Sequence, residues 1–349
     1  GPPESCTALA ALAALAALSA GRGWVPGTGY QSFVDKYPVD RFDWDNREGF
    51  GPTDATREPF LSDGFDWRID WQPQQDRLRV MQPKSVLVYG GHLLPRVRRD
   101  YGTLLETSSR DRILVVWGDQ LLSTLVNEAK DNWQEDIAWL WAQFRRVAFQ
   151  AKDLPVPYIY TAPVGLDEMY MRGQIWRTAD MAMRAASLEG KQRNVLATRG
   201  LHVTLDDFRT LPPSYSAVVA SRETSVKWAQ SQEASGLVDY RVVPASQWWH
   251  ELSTYRFLLA PHGLAVQTSK TIGALMVLTV PIVQKANAHE DLQKMGFPIL
   301  MVDAWDNITS ELLRVAWNIL SPRLQSFRAK CLTAESYWRF YTGELGICF

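Results

Sequence analysis

Residues 258–283 read LLAPHGLAVQTSKTIGALMVLTVPIV. An apolar run stops at Pro261-His262-Gly263, a polar Thr268-Ser269-Lys270-Thr271 follows, and a helix-length segment leads into a second apolar run ending in Pro281-Ile282-Val283. Two short buried-type strands flanking an amphipathic helix form the strand, crossover helix, strand unit of a parallel sheet. In such a unit the backbone N–H groups and the positive helix end face the carboxyl end of the first strand, a ready anion site. Lys270 adds a point charge suited to a diphosphate, and the hydroxyls of Ser269 and Thr271 add short polar contacts. Val266, Ile272, Leu275 and Met276 supply the buried side. Lys270 and Gly273 are three apart and share a helix face, so Gly273 leaves that face bare. The same residues also fit a plain turn at Gly263 and a solvated lysine, and spacing alone does not separate the two readings. A Walker A loop is excluded, because Thr268-Ser269-Lys270-Thr271 lacks the second glycine.

The same alternation extends in both directions. Upstream, KSVLVYGG, RILVVWGD and VPYIYTAP read as strands, with a helix around Val97 to Leu105, helical sequence across residues 121–152 and another helix from Leu166 to Leu188. Within residues 121–152, Ile137, Leu140, Trp141, Phe144, Val147 and Ala148 recur at helical spacing and predict a core stripe. After the polar break EGKQRN the strands NVLATRG, YRVVP, RFLLAP, TVPIVQ and FPILMV alternate with helices near Glu223 to Ser231, at Gln247 to Leu252 and at HEDLQKMG. From Ser310 the chain reads as helix, with Leu312, Leu313, Ala316, Trp317 and Leu320 on one stripe. The expected class is therefore α/β, with two doubly wound Rossmann-like halves facing a cleft. The expected boundaries are a leader and irregular extension over 1–80, a first Rossmann-like domain over 81–190, a second over 191–325, and a helical tail over 326–349.

With 349 residues the chain can bury two sizeable cores. Lys and Arg total 37 against 38 Asp and Glu, a net charge of -1, which leaves no global basic field for nucleic acid or an acidic membrane surface. An anionic ligand must be met locally. Fifteen tryptophans are many; stacked aromatic walls suit sugars, and tryptophan is equally ordinary core material. The apolar repeat TALAALAALAALSAG, Thr7 to Gly21, is too short to span a membrane and fits the remnant of a targeting or anchor segment or an Ala-rich leader. A membrane anchor upstream of it is the partner such a remnant implies. Cys331 and Cys348 are expected either to pair, in an oxidising lumen, or to remain buried thiols. Asn307-Ile308-Thr309 is a sequon for N-glycosylation.

The order YRFLLAPHG, TSKTIGALMVLTVPIV, LQKMGFPILMVDAWDNITSELL resembles the C-terminal half of exostosin-type glycosyltransferases and their algal relatives. The matching positions are Pro261, Gly263, Lys270, Thr271, Ala274, Leu275, Pro281, Ile282, Val283, Pro298, Ile299, Trp305, Ile308 and Thr309, within residues 250–320. The resemblance implies a GT-B architecture, a nucleoside-diphosphate sugar bound mainly by the C-terminal half, and inverting transfer with no metal or other cofactor. Two departures stand out. The family's acidic residue on the helix is Gly273 here, and Lys270 replaces the more usual arginine, losing its bidentate fork.

Inverting transfer needs a base near the acceptor hydroxyl and positive charge near the leaving diphosphate. His92, just past the first strand beside Gly90 and Gly91, is the first candidate for the base, although a turn histidine without chemistry is the commoner case. Asp119 in VVWGDQ is a second candidate, or a helix N-cap. Pro261, His262 and Gly263 would meet the donor together with Ser269, Lys270, Thr271 and the bare face at Gly273. Arg199, after the strand NVLAT, and Arg222, near a helix start, could help to neutralise the diphosphate. The pair Trp248-Trp249 could wall a sugar, with one ring in the core. Asp43-Trp44-Asp45 matches the spacing of a DxD metal site, but its charged and aromatic context is not the end of an apolar strand. The expected function is transfer of a sugar to a glycan or glycoprotein acceptor in the secretory pathway, in the Golgi lumen; the alternative is a degenerate transferase fold that only binds glycan or protein.

Overall fold

The computed structural model describes residues 36–40, 61–107, 109–128, 133–167, 175–198, 209–344 and 348. It is a mixed α/β structure with two predominantly parallel sheets. The strands are β1 (Val39–Asp40), β2 (Trp67–Ile69), β3 (Arg77–Leu78), β4 (Ser85–Tyr89), β5 (Ile113–Trp117), β6 (Arg146–Phe149), β7 (Ile159–Thr161), β8 (Leu166–Asp167), β9 (Arg193–Thr198), β10 (Val238–Arg241), β11 (Tyr255–Leu259), β12 (Val280–Gln284) and β13 (Leu300–Val302). The helices are α1 (Leu94–Glu106), α2 (Leu122–Glu128), α3 (Trp133–Gln143), α4 (Ile175–Ala185), α5 (Ser216–Ala229), α6 (Trp248–Ser253), α7 (Ser269–Met276), α8 (Asn287–Lys294), α9 (Ser310–Cys331) and α10 (Ala334–Thr342). No helix of the described residues is long and apolar enough to cross a membrane.

The second sheet runs β10-β9-β11-β12-β13, all parallel. Chain order therefore reverses between β9 and β11, the place where open α/β sheets commonly bind ligands outside the carboxyl ends of their strands. Its central strands β11 and β12 are the buried ones and read as unbroken apolar runs, FLL and VPIV, which is why the sequence exposes them.

The first sheet runs β3-β2-β4-β5-β6-β7, with β3 antiparallel to β2 and the remaining pairs parallel. Its parallel strands advance in one direction without reversal, so right-handed crossovers put their helices on one face. Val86, Val88, Leu114 and Val116 on that face pack with Val97, Leu105, Ile137 and Leu140 of the helices. Leu87, Val115, Trp117 and Ala148 point the other way into the large core shared with the second sheet. There Phe65 and Tyr341 stand about Trp117, with ring centroids 6.1 and 6.3 Å away. The expected doubly wound order thus appears in the second sheet and not in the first.

Other expectations are corrected. The irregular extension stops short of residue 80, because β2 and β3 already belong to the first sheet. The helical stripe over 121–152 breaks after Gln143: Val147 and Ala148 lie in β6, where a short β-branched and aromatic run pairs between β5 and β7. Trp141 of that stripe is 41 % exposed. Leu166–Asp167 is a strand paired with β1, and α4 spans Ile175–Ala185. The tail is not separate at 326, since α9 continues unbroken to Cys331. Beyond it α10 returns to the first sheet, where Tyr337 Oη donates to Val164 O at 2.8 Å. Cys331 and Cys348 form a disulfide with a Cα separation of 5.8 Å. Closing that loop is worth about 3 kcal/mol in the chain-entropy account.

Candidate functional site

The turn after β11 is shaped by backbone contacts. Gly263 and Val266 exchange both backbone hydrogen bonds, at 3.1 and 3.0 Å. A side chain on Gly263 would collide with the carbonyl oxygen of Gln267, so only glycine closes this turn. Val266 adopts φ +66, an unusual backbone for a β-branched residue, and is held there by burial with Leu121, Ala151 and Ala288. At the end of the turn Thr268 caps α7 and accepts from Lys270 N at 3.4 Å. Pro261 and Ser269 remain partly exposed, while Thr271 is buried.

Positive groups gather beside this turn. Arg222, on the second turn of α5, donates from Nε to His262 O at 2.7 Å. Ser221 Oγ accepts from His262 N at 3.2 Å, so α5 fixes the strand end from two sides. Lys270 Nζ lies 5.5 Å from the centre of the Trp248 ring, a cation–π contact. Burial, helped by the charge of Arg222, pushes the Lys270 ammonium down to about 8. Among the described residues no carboxylate pairs with the Lys270 ammonium. Burial and Arg222 also push His262 down, against a partly offsetting hydrogen bond to Gln284 O. His289 stands beside it, ring centroids 5.5 Å apart, and burial holds it neutral, down to about 3.

Gly273 does not open onto the cleft as expected. It is buried, and a Cβ there would already meet the Trp249 ring at 3.4 Å. The bare face exists to seat an indole from α6. Both Trp248 and Trp249 are buried, so neither walls an open sugar site.

On the first sheet, His92 and Asp119 fall on adjacent turns at the carboxyl ends of β4 and β5. Gly90 N donates to Trp117 O at 2.7 Å, and His92 N donates to Gln120 Oε1. Gly90 has φ +103, and a side chain there would run into the His92 ring, which is itself solvent-exposed. Asp119 is not the cap of α2: the carboxylate that accepts from Ser123 N, at 2.8 Å, is Asp153. The backbone of Asp119 instead accepts from Tyr215 Oη at 2.9 Å, just before α5 begins. The same helix therefore meets the β5 turn at Tyr215 and the β11 turn at Arg222, about 10 Å apart at the rise of an α-helix. No hydrogen bond or ion pair among the described residues joins His92 to Lys270. Arg199, Asp43 and Asp45 lie outside the described residues, within which no group of three or more acidic, histidine or cysteine side chains could hold a metal ion.

Three residues that organise the site escape a sequence reading. Gln267 is 3 % exposed and spends its whole side chain on the first sheet, donating to Gln150 O and Ala162 O and accepting from Val164 N. Tyr215 and His289 likewise act through tertiary contacts. A lone polar residue inside an otherwise apolar turn, as in Ala-Val-Gln, is the only local signal of such a role.

No protein-family model matches the chain, and no curated protein matches it either.

Proposed function

We propose that the protein is a glycosyltransferase of exostosin-like, GT-B type, binding a nucleoside-diphosphate sugar at the carboxyl end of the second sheet. The observation that carries the reading is the Lys270 ammonium. It sits in the first turn of α7, beside Arg222 and without a carboxylate partner among the described residues, at the point where strand order reverses. A diphosphate there meets a positive helix end and two cations.

In this reading the acceptor hydroxyl attacks the anomeric carbon from the side opposite the diphosphate. A base takes its proton, and the nucleoside diphosphate leaves with the bonding electron pair. Lys270 and Arg222 stabilise that charge, and no metal is required. His92 is the proposed base, with Asp119 on the adjoining turn as the second candidate. Pro261, Gly263, Ser269 and Thr271 frame the donor, and Arg199 is a further proposed contact to the diphosphate. A glycan or glycoprotein acceptor would enter from the first sheet. The disulfide between Cys331 and Cys348 and the exposed Asn307 of the sequon support folding in an oxidising secretory lumen.

Titrating UDP, GDP and their sugars while following thermal unfolding tests the proposal: saturable stabilisation by at least one is expected, and no shift with any would overturn it. A second reading, a degenerate transferase that binds glycan or protein without turnover, is favoured by one observation. The position where the family carries an acid is filled by the Trp249 ring. Hydrolysis of a donor sugar or its transfer to any acceptor would exclude this reading.

A further inference from the structure

Two imidazoles share one carbonyl at the edge of the proposed donor site. Gln284 O lies 2.7 Å from His289 Nδ1 and 3.3 Å from His262 Nε2. A carbonyl oxygen only accepts, so each of these nitrogens carries a proton. For His262 in its neutral form, the proton on Nε2 leaves Nδ1 as a bare lone pair. Among the described residues Nδ1 has no hydrogen-bond partner, although the residue is only 6 % exposed. Thr271 Oγ1, in the first turn of α7 and at 2 % exposure, is unpartnered as well. A buried acceptor left unpaired costs about 1–3 kcal/mol, so a partner arriving from a ligand or a water would relieve it.

The titratable groups beside His262 are Arg222 from α5, whose charge acts on its ring, and the neutral His289 from α8, while Lys270 of α7 lies within reach of Arg222. Burial and the Arg222 charge both oppose a second proton on the ring. The environment thus attracts anions while one of its atoms rejects them. A phosphate oxygen would set lone pair against lone pair at Nδ1, whereas a hydroxyl or an N–H would satisfy it.

We infer that His262 Nδ1 accepts a hydrogen bond from the ligand, so that the site selects an anion that also carries a hydroxyl or N–H donor, a phosphorylated sugar or nucleoside, over a bare phosphate. This inference rests on the donor-site reading above and assigns His262 a specificity role within it.

Two substitutions separate the ring nitrogens. His262→Gln keeps a donor near the position of Nε2 and removes the acceptor at Nδ1, whereas His262→Asn restores an acceptor near Nδ1. Binding of UDP, GDP and inorganic pyrophosphate is measured by calorimetry on the full chain, with thermal unfolding confirming that each variant is folded. His262→Gln is expected to weaken the nucleotide that binds wild type by about tenfold, the worth of one good hydrogen bond. Pyrophosphate should stay within twofold, and His262→Asn should recover most of the nucleotide affinity. Equal loss of nucleotide and pyrophosphate, or unchanged nucleotide affinity because Nδ1 holds only water, overturns the inference. Lys270→Ala distinguishes the failure of the underlying reading: it should weaken nucleotide and pyrophosphate alike, and if it weakens neither, the anion site itself is wrong.

Discussion

Gln267 Nε2 donates to the carbonyl oxygen of Gln150 at 2.7 Å, joining the turn after β11 to the end of β6. The same side chain reaches Ala162 O at 2.9 Å and Val164 N at 3.1 Å. Nearby, Asp291 of α8 accepts from Lys152 Nζ and Thr161 Oγ1, both at 2.7 Å. The two sheets are thus docked at the β6 and β7 ends, and the turns bearing His92 and Asp119 lie on the β4 and β5 side.

Gln267→Leu should therefore be strongly destabilising. It fills similar volume but leaves two buried carbonyls and one N–H without partners, at about 1–3 kcal/mol each before relaxation. Urea unfolding should show a loss of more than about 2 kcal/mol, and a change under about 0.5 kcal/mol would contradict the docking role.

Gly273 is a seat for Trp249, so placing an acid there should not create a nucleotide contact. Gly273→Glu should lower stability by more than about 2 kcal/mol through overpacking and carboxylate burial, with no gain in nucleotide affinity. Gly273→Ala, whose Cβ just meets the ring, should be far milder because helix propensity offsets the contact. Thermal unfolding of the pair decides the matter: a well-folded Glu variant with tighter nucleotide binding would mean that the face opens to ligand after all.

Lys191 gives the fold a pH signature. Its ammonium is 2 % exposed, donating to Val277 O at 2.6 Å and Thr279 Oγ1 at 2.7 Å. Burial, with Arg328 adding repulsion, pushes it down to about 7. Above that pH the folded chain has released a proton that the unfolded chain still holds until about pH 10, so this group makes stability rise with pH between those limits. Lys191→Met should flatten that rise, by an amount on the order of 2 kcal/mol between pH 6.5 and pH 9. Urea midpoints with parallel pH profiles for wild type and variant would contradict it.

The strands were legible because parallel strands buried on both faces are written as unbroken apolar runs, as in Ser85–Tyr89, Ile113–Trp117 and Val280–Gln284. Arg146–Phe149 was not, because Phe144, Val147 and Ala148 continue the spacing of the preceding helix and only pairing with β5 and β7 decides otherwise. The turn after β11 was legible from Gly263, with Lys270 as the cation beside it, and the donor role of that turn is the proposal. The meaning of Gly273 was not, since it depends on Trp249 arriving from another helix. Nothing local marks Gln267 as the residue that docks the sheets.

Lys270 should make nucleotide binding depend on pH. The ammonium is pushed down to about 8 in the free protein, and a bound diphosphate would hold its proton. Affinity should fall as pH rises past 8, by up to about tenfold per pH unit once the free amine dominates. Lys270→Arg, which stays charged, should remove that fall. Calorimetry at pH 7, 8 and 9 checks it, and an identical pH profile for wild type and the arginine variant would contradict the assignment.

The central claim is that the end of the second sheet binds a nucleoside diphosphate through Lys270 while His92 serves the acceptor side. The direct measurement is the affinity of UDP and GDP for wild type, Lys270→Ala and His92→Ala. The account predicts saturable binding to wild type, a loss of about tenfold or more in Lys270→Ala, the scale of a charged hydrogen bond, and a change within about twofold in His92→Ala. No binding of either nucleotide to wild type, or an equal or larger loss in His92→Ala, would contradict it.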